Sequence, residues 1–490
     1  MKYKVMLLWL TTALLWIAGT ACAQEITISP DGQADYTTLT EAVAAAQPGD
    51  EIVLNEGVYS ATTEVFPIMI NKPLAIRGEG AVVLDSPQFT TILKIKSDDV
   101  HITGISFHVR KWGIVAEQCQ RMTLDGCTFT LADAASRTSS TAVWMEGMKD
   151  CSILNCAFAG VGVCVAGDPI SASSQGKAVL TGLCEIGEDE DYFTSHRFEN
   201  CTVNGKPLYY IVGGKNVVVP SDAGGIIAAY CDGITVKNAD VSDSSMGLEI
   251  VHSRNVVLDH VNADRCGIFG TYVAYADGGK FQNVTVHDSN HGIDTRASSN
   301  IVVEGCLADG CDQGIFFSLC SADIMHDCDV HKCGFGCFTT KGNGLQITDC
   351  RLDANADGIY LQNDRGTTIS DCDITASTVV GLRVLKSNGT CENSTLQNNW
   401  TGMILYDSKG VTIKNCILDA NHAAGIYAGN ASDLVIADCT FSGETTAHFE
   451  FDGHFENASV SGCKLSGDIA AMLRLKSGEL PTFTDNEWNQ

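Results

Sequence analysis

Proline is scarce in this chain, 9 of 490 residues. Pro-rich linkers and collagen-like repeats are thereby excluded. Charged side chains are also few, 18% against 45% hydrophobic, which excludes global disorder. Basic residues are the scarcer sign, 31 Lys and Arg against 59 Asp and Glu, for a net charge of −28. With no basic block, nucleic acid is not an expected partner. A polyanion would be repelled unless calcium bridged it. After the N-terminus no apolar run is long enough to cross a bilayer.

The first 23 residues read as a signal peptide. Lys2 and Lys4 supply the charged start and Val5 to Ala18 the apolar stretch. Ala21-Cys22-Ala23 then makes a small-x-small cleavage site. Export to the periplasm, the cell surface or the medium follows. Lipid anchoring at Cys22 is the lesser alternative, because Gly19 stands where such signals carry a larger aliphatic residue.

Twenty-two cysteines in an exported chain would ordinarily suggest disulfides. Their spacing argues otherwise. Cys306, Cys328, Cys350 and Cys372 are each 22 apart, Ser394 continues the series, and Cys416, Cys439 and Cys463 follow. One cysteine per repeat is an interior ladder position for a small apolar side chain. Stacked neighbours about 4.8 Å apart with parallel Cβ vectors suit a disulfide dihedral poorly. Mostly free thiols are expected.

A glycine followed by an apolar residue recurs with the same period. Gly225, Gly247, Gly267, Gly292, Gly314, Gly336, Gly358, Gly381, Gly402 and Gly425 are separated by 22, 20, 25, 22, 22, 22, 23, 21 and 23 residues. Within each unit, short segments alternate with period two and are parted by Asn, Asp, Ser and Gly. Three strands and their turns fill 22 residues and leave no room for a helix. The predicted fold is all-β, a right-handed parallel β-helix of about 22 residues per coil. Thr38 and Glu41 form a capping-box pattern that starts one helix, with Leu39, Ala42, Val43 and Ala46 on its apolar face. That helix would plug the N-terminal end of the solenoid, as exposed ends require. A single domain over 24–490 is predicted. It carries a long loop excursion at about 165–197 that includes the acidic run from Glu185 to Asp191. The last residues are expected to cover the C-terminal edge.

Two stretches carry a resemblance. Ile26 to Leu84, with TTLTEAVAAAQPGDEIVLNEGVY and INKPLAIRGEG, resembles the opening segment of secreted carbohydrate-active β-helix proteins such as pectinesterases and polysaccharide lyases. Val203 to Tyr210, and the coils to about Gly358, resemble NosD-like right-handed β-helix proteins, a family that includes periplasmic copper-linked and surface proteins. These likenesses imply a fold and leave activity open. The Asp-Asp pair of polygalacturonases is matched only by Asp98-Asp99, far too early, and the pectate-lyase Arg-x-x-Pro-x-x-Arg pattern is missing. No Met/His cluster suited to Cu(I) is present.

The repeat register also selects candidate site residues. Two positions after the glycine the side chain should leave the coil, a row that includes Glu249, Phe269, Asp294, Phe316, Phe338, Tyr360, Arg383, Ile404 and Tyr427. Exposed rings on a rigid sheet suit sugar stacking, so Phe269, Tyr272, Phe316, Phe338 and Tyr360 are the expected substrate-binding set. Glu249, Asp294, Arg296 and His291 are the expected catalytic set. Glu249 and Asp294, two coils apart, would stand roughly 9–10 Å from one another, the upper edge of the spacing used by inverting glycosidases. A lyase or epimerase would instead use Arg296, His291 or Tyr272 on the proton beside a carboxylate. An ordinary Asp294–Arg296 surface pair is the competing explanation.

Two metal-like strings are read as structural. Asp353-x-Asn355-x-Asp357-Gly358 with Asp364 mimics a calcium loop but lies in register with the repeat, where Asn355 matches Asn399 and Asn421. His326, Cys328, His331 and Cys333 mimic a zinc string, yet Cys328 is a ladder cysteine. No metal site and no required cofactor are expected. Calcium enters only as an optional ion, through a substrate bridge or loosely in the acidic loop. The expected function is an exported, monomeric polysaccharide-active β-helix that cleaves or modifies a glycan along an aromatic outer groove. The alternative is a non-catalytic NosD-like scaffold that binds glycan or protein.

Overall fold

The computed structural model describes residues 23–137, 139–166, 191–468 and 472–489. The expected signal peptide lies almost wholly outside them, as does most of the expected excursion with its acidic run. The described chain is a parallel β-solenoid of about 20 turns with about 22 residues each. Among the described residues no helix is long and apolar enough to cross a membrane.

The coil geometry explains the turn residues. Each coil turns three corners, and a corner is closed by one residue in the left-handed region. In the coil that starts at Gly358 these are Asn363 (φ 57°), Asp371 (φ 54°) and Ala376 (φ 53°). That conformation costs an ordinary L-residue roughly 1–2 kcal/mol and Asn or Asp less, so Asn and Asp gather at corners. The repeat glycine has a different cause. A Cβ on Gly292 would stand 2.4 Å from the carbonyl oxygen of Gly314, and one on Gly336 would stand 2.5 Å from that of Gly358. Successive coils approach too closely there for any side chain.

The interior is a set of ladders. Cys328 Sγ lies 3.5 Å from the Val303 carbonyl one coil back and 3.3 Å from the His326 carbonyl, and its neighbours repeat the contact. All twenty described cysteines are buried and free. A thiol reagent added to native protein is therefore expected to label none of these twenty, and all of them after denaturation. A denatured count below twenty would mean disulfides that the ladder geometry does not provide.

At another corner asparagine takes the same place. Asn355 Oδ1 accepts from the Cys333 N–H at 2.8 Å and its Nδ2 donates to the Val330 carbonyl at 3.0 Å; Asn399 and Asn421 repeat this. The calcium-like string is thus part of a corner ladder, and Asp357 turns instead to Arg383. The zinc-like string is divided too: His326 and His331 belong to strands of different sheets, with Cys328 inward between them.

The coils form two stacks. The first uses three sheets that begin with strands Glu25–Ile28, Gly57–Ser60 and Ile68–Ile70. After Thr202–Val203 the chain reverses: Val203 pairs antiparallel with Lys206, and strand Lys206–Val212 opens a new sheet. This long sheet continues in parallel through Gly225–Ala229, Met246–Val251, Phe269–Ala274 and His291–Arg296 to Leu473–Gly478. Two further sheets complete the second stack. Helix Leu39–Ala45 caps the N-terminal end with Leu39, Ala42 and Val43 buried. Thr38 is its N-cap, and Glu64 takes the Leu39 and Thr40 N–H groups at 2.6 and 2.9 Å. The C-terminal residues do not fold over the edge as expected. Strands Thr482–Thr484 and Glu487–Asn489 form the final coil itself.

Candidate functional site

The register of the long sheet gives the outward row directly. It runs Glu249, Tyr272, Asp294, Phe316, Phe338, Tyr360, Arg383, Ile404, Tyr427, Glu450. One expectation is corrected here. Gly270, not Gly267, is the in-register glycine, so Tyr272 holds the row position and Phe269 stands in the neighbouring row with Met246 and His291. Gly267 sits at a corner, where a Cβ would lie 2.4 Å from the Arg137 carbonyl oxygen.

The second correction concerns exposure. Glu249 is 1% exposed, Asp294 0%, Arg296 3% and His291 4%, and Phe269, Tyr272 and Phe316 are also buried. The first stack helps cover this end of the outer face. Ile227, Met246, Val251, Phe269 and Tyr272 join the hydrophobic core of the first stack. The Gly162 N–H donates to Ser245 Oγ at 2.8 Å, the Ser139 N–H to the Gly267 carbonyl at 2.6 Å, and Asn290 Nδ2 to Ser139 Oγ at 3.1 Å. Arg137 reaches across to Asp243 at 2.8 Å.

Within this covered zone six expected residues make one cluster. Asp294 accepts from Arg296 Nε at 2.6 Å and Nη2 at 2.8 Å, and His291 Nδ1 lies 2.7 Å from its second oxygen. Burial alone would push the Asp294 carboxyl up; the Arg296 charge and the two sets of hydrogen bonds outweigh it and hold the group below its usual range. The Arg296 guanidinium stands 5.4, 5.6 and 5.0 Å from the ring centres of Phe269, Tyr272 and Phe316. Three rings and a carboxylate therefore replace the water an arginine would otherwise hold.

Glu249 stands apart from that cluster, two coils from Asp294. Its Oε2 accepts from the Val165 N–H at 3.2 Å, across the junction of the stacks. Burial pushes its carboxyl up to about 8, against one opposing hydrogen bond. It keeps its proton at neutral pH.

Further along, the row emerges. Phe338 and Tyr360 are half-buried and stack at 4.9 Å with planes 11° apart, and Phe335 flanks both rings at 5.3 and 5.8 Å. Arg383 lies 5.5 Å from the Tyr360 ring centre and makes a two-pronged pair with Asp357 at 2.6 and 2.9 Å. Sequence reasoning singled out Phe338 and Tyr360 but not Phe335, Arg383 or Asp357 as site residues. The row position of Arg383 was the available signal.

Three family descriptions match parts of the chain, the last two overlapping: Protein of unknown function (DUF1565) over 27–204, Periplasmic copper-binding protein (NosD) over 211–390, and Right handed beta helix region over 336–487. The chain is a right-handed β-helix protein. No curated protein matches it. Among solved structures, the periplasmic alginate epimerase AlgG is 11% identical, with 90% of this chain and 84% of that one covered at a TM-score of 0.31. The Azotobacter vinelandii mannuronan C-5 epimerase AlgE4 A-module is 13% identical over 91% and 93%, at 0.35. The pectate lyase Pel9A is 13% identical over 78% and 80%, at 0.25. Likeness this low carries no argument about activity.

Copper stands in one family description, and the described residues of this β-helix protein do not fit a site for it. The described cysteines are buried in the coils, most with Sγ on backbone carbonyls. Among the described residues no three His, Cys, Asp or Glu side chains gather where they could hold a metal ion.

Proposed function

We propose that this is an exported glycan-directed β-helix whose ligand lies along the outer face of the long sheet, over Phe338, Tyr360, Arg383, Ile404 and Tyr427. The stacked, half-buried pair Phe338–Tyr360 carries this reading. The two rings stack on one another along the row, so they present a preordered apolar ridge to a ligand at little entropic cost. The charge beside them is already matched, Arg383 by Asp357.

Turnover is a second reading, with one observation in its favour. Glu249 holds a proton at neutral pH, as a general acid must. Hydrolysis or elimination would then assign Glu249 and Asp294, or Arg296 and His291, to the reacting bond. Their burial weighs for binding over turnover, since substrate atoms must touch a catalytic group. A NosD-like scaffold that binds protein instead would not use the rings in this way.

Mass spectrometry of a polysaccharide panel incubated with the mature protein separates these readings. Products that carry an added water mean a hydrolase, unsaturated ends a lyase, deuterium taken up from D2O into an otherwise unchanged chain an epimerase, and no change in either solvent with measurable affinity a binding protein. Tyr360→Ala is expected to weaken glycan binding about tenfold, read by calorimetry. An unchanged Kd in that variant would remove the row from the site.

A further inference from the structure

The first stack has an outer face of its own, on the sheet that holds strands Thr91–Ile95, Trp112–Glu117 and Thr141–Glu146. Ile114, Ala116, Val143 and Met145 are buried in the coils. Alternation therefore sends Val115, Glu117, Trp144 and Glu146 outward. Glu117 and Glu146 are register partners on adjacent coils. Neighbouring strands stand about 4.8 Å apart, so two carboxyl groups of equal reach lie side by side. Solvent touches both, since the Glu117 side chain is 24% exposed and Glu146 is half-buried. Glu249 and Asp294, by contrast, are sealed.

The two carboxyl groups have different surroundings. Glu117 Oε1 lies 2.7 Å from Lys94 Nζ and its Oε2 3.0 Å from Lys96 Nζ. Glu146 Oε2 accepts from Trp144 Nε1 at 2.9 Å. Burial alone would push the Glu117 carboxyl up; the two lysines outweigh it and hold the group below its usual range. Burial pushes the Glu146 carboxyl up, the Trp144 N–H opposes this, and the neighbouring Glu117 charge adds to it. One group is thus kept ionised and the other inclined to hold its proton, the division of roles a carboxyl pair needs for acid and nucleophile. Ordinary ion pairing accounts for Glu117 with its lysines. It does not account for a second carboxyl set directly beside the first, where like charges destabilise a sheet. A metal ion is not what joins them, because two ammonium groups already stand on Glu117.

We propose that Glu117 and Glu146 form a solvent-open site that hydrolyses a glycosidic bond with retention, Glu117 as nucleophile and Glu146 as general acid and then base. Adjacent coils give the close spacing of a retaining pair, about 5–5.5 Å, with no room for a water between the carboxyl groups. A Glu117 oxygen attacks the anomeric carbon, the bond to the leaving oxygen breaks, and Glu146 gives that oxygen its proton. Glu146 then takes a proton from water, whose oxygen attacks the same carbon and frees Glu117. One water is consumed for each bond cut. Lys94 and Lys96 are positioning residues that keep Glu117 ionised. This site is separate from the Phe338–Tyr360 row and does not depend on a ligand there.

The test is turnover of the mature full chain on glucans, mannans, xylan, galactans and polygalacturonate. Mass spectrometry reads products with an added water, and proton NMR reads the anomer first released, which is expected to be the retained one. Glu117→Ala is expected to abolish turnover, and added azide to restore part of it by taking the nucleophile's place. Glu146→Gln is expected to lower turnover about 10²–10⁴-fold and to remove the alkaline limb of the pH profile. Lys96→Ala is expected to move the acid limb to higher pH, because Glu117 loses one of its two partners. All three variants should melt close to the wild type, since the altered side chains reach solvent. An inverted product, or unchanged turnover in Glu117→Ala, overturns the assignment. Turnover that survives in both glutamate variants and is lost in Glu249→Gln returns the chemistry to the covered zone and overturns it as well. If no polymer is cleaved, the activity is overturned, while the row is judged separately by the Kd of Tyr360→Ala.

Discussion

Asp294→Ala is expected to destabilise the protein by about 3–5 kcal/mol, because it leaves a buried guanidinium without its partner. Asp294 is the acceptor of two Arg296 hydrogen bonds and faces His291 as well. Removal of its carboxylate leaves Arg296 beside Phe269, Tyr272 and Phe316, whose faces offset part of the loss, on the order of 2 kcal/mol at most. Replacement of the pair together, Asp294→Leu with Arg296→Met, is expected to cost far less, since neither partner is then left charged and buried. Melting followed by circular dichroism checks both statements. A single variant that melts with the wild type, or a double variant worse than the single, would contradict the account. The same measurement bears on catalysis: lost turnover in an Asp294 variant that no longer folds says nothing about chemistry.

The second large effect is a pH dependence at Glu249. Its carboxyl is raised from 4.5 unfolded to about 8 folded by burial. The folded state therefore binds a proton that the unfolded state has released. Stability is full below about pH 4.5, falls as pH rises, and levels off above about 8. The whole change amounts to about 5 kcal/mol, of which about 3 is already lost at pH 7. Glu249→Gln keeps a neutral side chain of the same shape. Its melting temperature should match the wild type near pH 5 and exceed it increasingly from pH 6 to 8. Asp323, raised to about 7, and Asp364, raised to about 6, work in the same direction and remain in the variant. His196, pushed down to about 4 by burial, works in the opposite direction and favours the fold above its unfolded value of 6.5. Two parallel melting curves across this range would mean that Glu249 is ionised and solvated.

Much of the coil was legible because the constraint acts on each turn separately. A cysteine that must face the interior, a glycine that must let the next carbonyl pass and a left-handed corner that favours Asn or Asp all recur at the coil length. Gly267 shows where this fails. It and Gly270 both precede an apolar or β-branched residue, and only Gly270 meets the next coil, with a Cβ there 2.8 Å from the Gly292 carbonyl. The choice placed Phe269 in the wrong row. Burial of Glu249 and Asp294 was not legible at all. The register correctly set them on the outside of their own coil. What covers that outside is partly Val165, Gly162 and Ser139, which lie 84, 83 and more than 100 residues from their partners. No periodicity within one stack encodes a contact with another.

The contacts between stacks also change how the molecule should come apart. In a simple solenoid each coil is supported only by its two neighbours, so unfolding can start at either end and travel. Here Arg137, Ser139 and Gly162 tie the first stack to coils near Asp243, Gly267 and Ser245, well inside the second. The early coils of the second stack are thus braced from the side, while among the described residues no such tie reaches the coils after about Tyr360. Amide exchange should be slowest at the braced coils and fastest at Leu473–Gly478.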